Sequence, residues 1–139
     1  MAWKRSVAST LLITATLLIS ATLTACSAIA PHGMPALSED QQASDELPGT
    51  VAESGSLDPS TSRLLATADG IRYFAAESAS SDDLCFVVYE SRDSWGTGCS
   101  TGLPIGVKLN GHPEALLSTY VDETDEWMPL GENVVIRKE

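Results

Sequence analysis

The sequence predicts a mainly β domain, in which a small antiparallel sheet of about six or seven short strands curls into a sandwich or a partial barrel with one disulfide. Two observations predict this fold class. From residue 57 onward, short runs rich in β-branched and aromatic residues alternate with turn dipeptides, which is typical of antiparallel β domains. Two cysteines also lie in this region, and a small domain benefits from a cross-link because it buries a modest share of its surface.

The first predicted element is a hairpin around Asp69-Gly70. Residues 63–68 and 71–76 have strand-forming composition and flank this dipeptide directly. A type I′ turn needs a positive φ at both central positions, and Asp-Gly tolerates this. We therefore expect two antiparallel strands joined by a tight turn, and a polar loop over 78–83 after the second strand.

The next element is the most apolar run of the domain, residues 84–89. Its β-branched and aromatic residues are typical of a central strand. Turn-forming residues follow over 91–94, and residues 95–99 return beside it. These two segments form a second predicted hairpin.

Cysteine chemistry and turn chemistry predict the same register for this hairpin. If Cys85 lies opposite Cys99, then Tyr89 lies opposite Trp95 and the turn centres on Arg92. A disulfide that closes a loop of roughly 15 residues contributes about 3 kcal/mol in the chain-entropy model. The spacing of the cysteines is unlike a redox-active C-x-x-C motif, so we expect a structural bridge.

Shorter strands are predicted after this hairpin. Residues 103–109 resemble an edge strand, the place in a sheet where Pro104 is tolerated. Asn110-Gly111 is a second turn signal. Residues 115–121 favour a strand over a short helix because β-branched and aromatic residues end the run, and residues 133–137 form the last predicted strand.

The N-terminus is typical of an export signal. Lys4 and Arg5 precede an uncharged run over residues 6–25, which should leave the basic end in the cytoplasm. The run closes with Leu23-Thr24-Ala25-Cys26, which resembles the lipobox of bacterial lipoproteins. The resemblance implies that the signal peptide, residues 1–25, is removed and that Cys26 carries lipid. Two acyl chains hold a protein stably on a membrane, whereas one holds it marginally.

Two other interpretations of this segment remain open. A retained transmembrane helix is long enough, since roughly 20 apolar residues cross a bilayer. However, many Ser and Thr residues dilute the run and no basic residue follows it closely. An ordinary signal peptide could be cut after residues 28–30, but Pro31 would then follow the cut directly.

The composition changes between Cys26 and the β domain. Residues 27–56 are rich in Ser, Ala, Pro, Gly and acidic residues, and their apolar residues show no period. Such segments recover little ordering entropy by burial. We therefore predict a lipidated cysteine followed by a disordered acidic tether over 26–56, and a single domain over 57–139.

The net charge restricts the class of partner. Nineteen acidic and six basic residues follow Cys26, so the mature chain carries 6 minus 19, or −13. A surface of this charge repels nucleic acid and anionic lipid headgroups. The sequence therefore predicts no nucleic-acid partner.

The domain also resembles small exported actinobacterial β domains. The matching features are a D-G hairpin, a Leu-Cys strand, a return from Trp to Gly-Cys-Ser, and a late Trp. The residues are Asp69, Gly70, Leu84, Cys85, Trp95, Gly98, Cys99, Ser100 and Trp127. This resemblance implies a fold and carries no activity with it.

The sequence offers little support for catalysis or for a metal site. His112 is the one histidine of the domain and lies in a turn, and no G-x-S-x-G motif is present. Residues 122–126 are acidic, but Trp127 stands where a calcium-binding EF-hand loop requires Gly and Asn133 where it requires Glu. We predict no catalytic residue, no metal ligand and no cofactor.

Trp95 and Trp127 are the candidate binding residues. Each lies next to polar turn residues, so each either caps the β core or is exposed for a sugar or a partner chain. The predicted protein is a monomeric, extracytoplasmic lipoprotein, held on the cell membrane through Cys26, that binds an envelope protein or glycan without catalysis. The alternatives are a small hydrolase or transferase that uses His112, and a structural surface protein without a ligand.

Overall fold

The computed structural model describes residues 30–139 and contains eight strands in two antiparallel sheets that pack face to face. The first sheet has the order β1-β2-β3-β4 and the second β5-β6-β8-β7. The strands are β1 Arg63–Ala68, β2 Ile71–Glu77, β3 Leu84–Ser91, β4 Ser94–Ser100, β5 Ile105–Val107, β6 Ala115–Leu117, β7 Trp127–Pro129 and β8 Val134–Arg137. This open sandwich confirms the predicted fold class, with eight strands instead of six or seven.

Both predicted hairpins are present in the first sheet. Asp69 and Gly70 have φ values of 51° and 80°, as a type I′ turn between β1 and β2 requires. Cys85 lies opposite Cys99 and is bonded to it, and Tyr89 lies opposite Trp95. The predicted register and disulfide are therefore confirmed, except that a shift in pairing after Tyr89 displaces the turn slightly.

The central strand β3 is buried on both faces. Leu84, Phe86 and Val88 point between the sheets, where they pack with residues of the second sheet. Cys85 and Val87 point to the outer side of the first sheet and belong to a second apolar cluster. Burial on both faces explains why this strand reads as a continuous apolar run.

Glycines bring the two sheets close together at one side of the sandwich. A Cβ atom on Gly96 would lie 3.2 Å from Val107 Cγ1, and one on Gly98 would lie 3.3 Å from the carbonyl oxygen of Gly106. A side chain at either position would push β5 away from β4. The W-G-T-G-C sequence therefore sets the spacing of the sheets at β4.

The second sheet is built from shorter strands than the sequence predicts. β5 lies at an edge, as predicted for residues 103–109, but it spans three residues, and so does β6 within 115–121. β8 confirms the last predicted strand. Sequence analysis missed β7, because a three-residue strand that ends in Pro129 has no recognisable alternation.

The structure corrects the prediction of a disordered tether for residues 31–56. This stretch forms short turns that wrap around the sandwich. They are three 3₁₀ turns, Pro31–Gly33, Pro35–Ser38 and Ala43–Asp45, and the α-helical turn Gly49–Ala52; a further 3₁₀ turn, Pro59–Thr61, leads into β1. Met34 and Val51 have no exposed surface, and Leu47 is 8% exposed. The apolar residues lack a period because they belong to separate turns, each of which contacts the sheets independently.

Polar contacts attach this stretch to the edge strand β1. The buried Asp45 carboxylate accepts the backbone N–H of Leu64 at 2.9 Å and that of Gln42 at 2.8 Å. The Ser62 hydroxyl donates to the Asp45 carbonyl at 2.6 Å, and the Arg63 guanidinium donates to the Glu39 carbonyl. The bond to Leu64 satisfies an N–H group of the edge strand that would otherwise be open to pairing with another chain.

The predicted signal segment and Cys26 lie outside the described residues. None of the helices described from residue 30 onward has the length and apolar content needed to cross a bilayer. Cleavage, lipidation and the membrane location therefore stay predictions of the sequence.

Candidate functional site

The structure separates the two candidate tryptophans. Trp95 lies on β4 and is half-buried, because it packs against the apolar cluster on the outer side of the first sheet. The covering segment, which we define as residues 43–57, encloses the same cluster through Leu47, Val51 and Leu57. Trp95 also lines a polar recess of about 280 Å³ beside Lys108. Its main role is therefore packing.

Trp127 lies on the outer face of the second sheet, in the edge strand β7. It pairs with Arg137 of β8, whose guanidinium carbon lies 5.1 Å from the centre of the indole ring. The Arg137 guanidinium also contacts the Glu114 carboxylate at 3.3 Å. These contacts hold one side of the indole in place while the residue remains half-exposed.

Trp127 forms part of a shallow groove of about 220 Å³, which we call the Trp127 groove. Leu116 of β6 and Val135 of β8 also line it, and they alternate along their strands with residues that face the core. Polar residues and one exposed aromatic residue complete the lining. They are Ser118, Tyr120, Asp122 and Thr124.

The loop that leads into Trp127 is held by its own hydrogen bonds. Thr124 Oγ1 accepts the backbone N–H of Trp127 at 3.0 Å and that of Glu126 at 3.3 Å. The Thr124 N–H donates to the Trp127 carbonyl at 3.0 Å. On the other side, Ser118 Oγ accepts the N–H of Tyr120 at 3.2 Å. The hydroxyls of the groove thus define the backbone around Trp127 and Tyr120.

The same loop places negative charge beside the groove. Residues 122–126 contain four carboxylates. Lys138 donates to Glu123 Oε1 at 2.9 Å and to the Thr124 carbonyl at 2.8 Å, so one cation anchors the loop. Asp122, Asp125 and Glu126 are exposed and leave the rim with a negative field.

His112 lies in a different polar cluster, between the ends of the two sheets. Its Nε2 is 3.2 Å from Glu90 Oε1. The nearby Ser94 side chain, and after it His112, lower the pKa of Glu90. The carboxylate therefore lies between serine and histidine, whereas a nucleophile triad has the histidine between serine and acid.

Metal ligands do not gather within the described part of the chain. No group of three or more His, Cys, Asp or Glu side chains there has the arrangement of a metal site. The carboxylates of residues 122–126 form a loop held by Lys138 and by backbone bonds.

Sequence analysis identified Trp127 as a candidate but missed the other residues of its groove. Leu116 and Val135 lie in short strands whose outward positions are as apolar as their inward ones. That departure from alternation was the available signal, because an outward apolar residue needs a cover or a ligand. Tyr120 was assigned to a strand, but it follows β6 and has 84% of its surface exposed.

Comparisons of this chain with protein-family models, with curated proteins and with solved structures found no match. The resemblance to lipoproteins and to actinobacterial exported domains therefore stays a prediction of the sequence. The function has to be argued from the geometry of the groove and from the N-terminal motif.

Proposed function

We propose that this protein is a lipid-anchored, extracytoplasmic, non-catalytic binding module whose ligand site is the Trp127 groove. The observation that carries the proposal is the outer face of the second sheet, where residues 30–139 leave Trp127 and Leu116 partly exposed. Together with Val135, which is 5% exposed, they line an apolar groove with a polar rim, which is the usual composition of a protein interaction site. The lipobox-like motif before Cys26 supports the anchor.

The chemistry of the groove favours a protein segment with an apolar side chain and basic neighbours. The lining at Leu116 and Val135 suits one apolar anchor. The rim carries the exposed carboxylates of residues 122–126, which attract Lys or Arg and repel anionic glycans. Trp127 and Tyr120 add aromatic surface, on which cations and apolar groups both pack favourably.

The groove is shallow, which also favours a segment of a partner over an enclosed small molecule. Its volume of about 220 Å³ is below the roughly 300–1,000 Å³ of pockets that bury small ligands. The groove would contact a partner side chain on one side only, and the rest of the partner segment would contribute to a larger interface. A single tryptophan at the centre of such a contact is a common hot spot.

A matched pair of variants tests this site. Full-length protein extracted from membranes is used to capture binding proteins from envelope extract, in the original form and as Trp127→Ala and Met128→Ala. Met128 is the control because it is exposed, lies on the same strand and points away from the groove. We expect at least a tenfold loss of capture for Trp127→Ala, about 1.4 kcal/mol or more, and no change for Met128→Ala.

The same experiment separates the alternatives. Capture of a basic protein partner should fall as salt is raised, because the rim attracts it electrostatically. If wall polysaccharide is captured and the amount captured does not depend on salt, the ligand is a glycan and not a protein. Equal capture by both variants, or no capture by the original protein, would contradict the groove as a binding site and favour a structural role.

The anchor is tested separately at Cys26. A Cys26→Ala variant should leave the membrane fraction, because no lipid can be attached to alanine. Mass spectrometry of the original protein should find a lipid-modified cysteine at its N-terminus. An unmodified N-terminus, or an unchanged distribution of the variant, would remove the lipid anchor from the proposal and leave the groove untouched.

A further inference from the structure

The folded domain begins very close to the proposed lipid. Met34 has no exposed surface and packs in the core between the sheets, and the turn Pro31–Gly33 precedes it. Cys26 is five residues before Pro31 and eight before Met34. At most about 3.6 Å per residue, the chain from Cys26 reaches no further than roughly 18 Å to Pro31 and 29 Å to Met34.

This reach is shorter than the domain. A chain of about 100 residues has a radius of gyration near 13 Å, so a compact domain of this size is roughly 35 Å across. The domain therefore cannot stand inverted, with its far end on the membrane that holds Cys26 and Pro31–Gly33 turned away from it. If the lipid anchor is present, Pro31 stays within roughly 18 Å of the bilayer.

Loops from both sheets meet at this end. A Cβ atom on Gly33 would lie 3.6 Å from Thr119 Cγ2, next to Tyr120. His32 lines a recess of about 160 Å³ with Leu103 and its neighbours, which follow β4. We call this surface the anchor end and define it as residues 31–33, 101–103 and 119–120. The hairpin turns at Asp69-Gly70 and Arg92-Asp93 lie at the opposite end of the first sheet.

The anchor end has the composition of a surface that contacts the lipid–water interface. Tyr120 is the most exposed large apolar residue described in the chain, at 84%, and tyrosine is enriched at this interface because its ring is apolar and its hydroxyl polar. Apart from His32, the described lining of the recess consists of Leu, Thr and Gly residues. Asp82, Asp83 and Asp122 flank the anchor end. Their negative charges would be repelled by a strongly anionic bilayer, so a membrane of that kind is excluded as the partner of this end.

We infer that the anchor end lies directly on a bilayer surface of low negative charge, with Tyr120 at the lipid–water interface. The inference rests on the proposed anchor at Cys26. The domain then stands on the membrane with its hairpin turns pointing away. Because Tyr120 also lines the Trp127 groove, the groove opens beside the bilayer and takes a partner segment that lies near the membrane.

Depth-dependent quenching tests this orientation. The lipidated full-length protein is reconstituted into phosphatidylcholine vesicles with one introduced cysteine, at Gly102→Cys or Tyr120→Cys on the anchor end, or at Arg92→Cys on the far turn. All three positions are exposed. Cys85 and Cys99 are bonded to each other, so the introduced thiol takes the fluorescent label. Lipids with a nitroxide near the headgroup should quench the labels at 102 and 120 several-fold more than the label at 92.

A longer linker between Cys26 and the domain provides the matched control. A flexible Gly/Ser linker inserted between Ser27 and Ala28 should lower the quenching at 102 and 120 toward that at 92, while the protein stays on the vesicles. Equal quenching at all three positions without the linker would overturn the orientation. Co-sedimentation with the vesicles is measured first, so a failure of the lipid anchor is recognised as such and is not mistaken for a failure of the orientation.

Discussion

The two outer faces of the sandwich differ in how completely other segments cover them. The covering segment, residues 43–57, closes the outer face of the first sheet, where Phe74 and Val87 have no exposed surface. The outer face of the second sheet has no such cover in the described chain, and Leu116 and Trp127 remain partly exposed there. The comparison shows how one sheet architecture can have one outer face closed by a covering segment and the other partly exposed.

The difference arises because the two faces pack against different residues. The closed face receives Leu47, Val51 and Leu57, and the buried Asp45 attaches the covering segment through backbone N–H groups. The open face has its apolar area divided by a charged pair, because Arg137 lies over Trp127 and contacts Glu114. This division limits the size of the exposed apolar patch.

The largest expected effect is a loss of stability caused by a substitution on the closed face. Phe74→Ala should lower the free energy of unfolding by about 3–5 kcal/mol, because it removes a fully buried ring and leaves a cavity between the covering segment and the sheet. Leu116→Ala on the open face is the control and should cost clearly less, because Leu116 is half-buried. Urea denaturation measures both, and equal losses would contradict the distinction between the two faces.

The disulfide gives the next largest effect, and it also lies on the closed face. Cys85 is fully buried and Cys99 is exposed on the edge strand β4, so a reductant reaches the bond from one side. Reduction should lower the free energy of unfolding by about 3 kcal/mol, since the unfolded chain regains the entropy of an open loop. Cys99→Ala should give the same midpoint in urea with and without reductant, and a midpoint equal to that of the oxidised protein would show that the bond contributes little.

A smaller effect is expected where the covering segment is attached. Asp45→Ala should cost about 1–3 kcal/mol, because the N–H groups of Leu64 and Gln42 lose their acceptor. Asp58→Ala is the matched control, since Asp58 accepts the N–H of Ser60 in an exposed turn. Hydrogen exchange should show faster exchange of the Leu64 amide in the Asp45 variant alone. Unchanged exchange would mean that β1 is protected by other contacts.

The smallest effect concerns the polar contact between the sheets at Glu90. Its pKa is lowered, first by the nearby Ser94 side chain and then by His112, so its stabilising contribution is present above the ordinary pKa of a glutamate. That contribution is lost as the pH falls through the lowered pKa of the folded state. An NMR titration of the Glu90 carboxyl should show a larger rise in pKa for Ser94→Ala than for His112→Ala. The reverse order would make His112 the main partner.

Sequence analysis was most successful where local chemistry determines the structure. The Asp69-Gly70 turn was predictable because few dipeptides accept positive φ at two successive positions. The pairing of Cys85 with Cys99 was predictable because the same register also centres a turn of suitable composition. Of the candidate site, Trp127 was predictable as an aromatic residue beside an acidic loop, whereas its groove was not.

The sequence by itself determined the mainly β class, both hairpins of the first sheet and the disulfide, because these depend on residues close together in the chain. Only the tertiary structure decided that residues 31–56 pack against the sheets, and that Leu116, Val135 and Trp127 share one open face. These features depend on contacts between distant segments. Short turns with isolated apolar residues and three-residue strands have no local pattern, so the sheet they pack on determines their place.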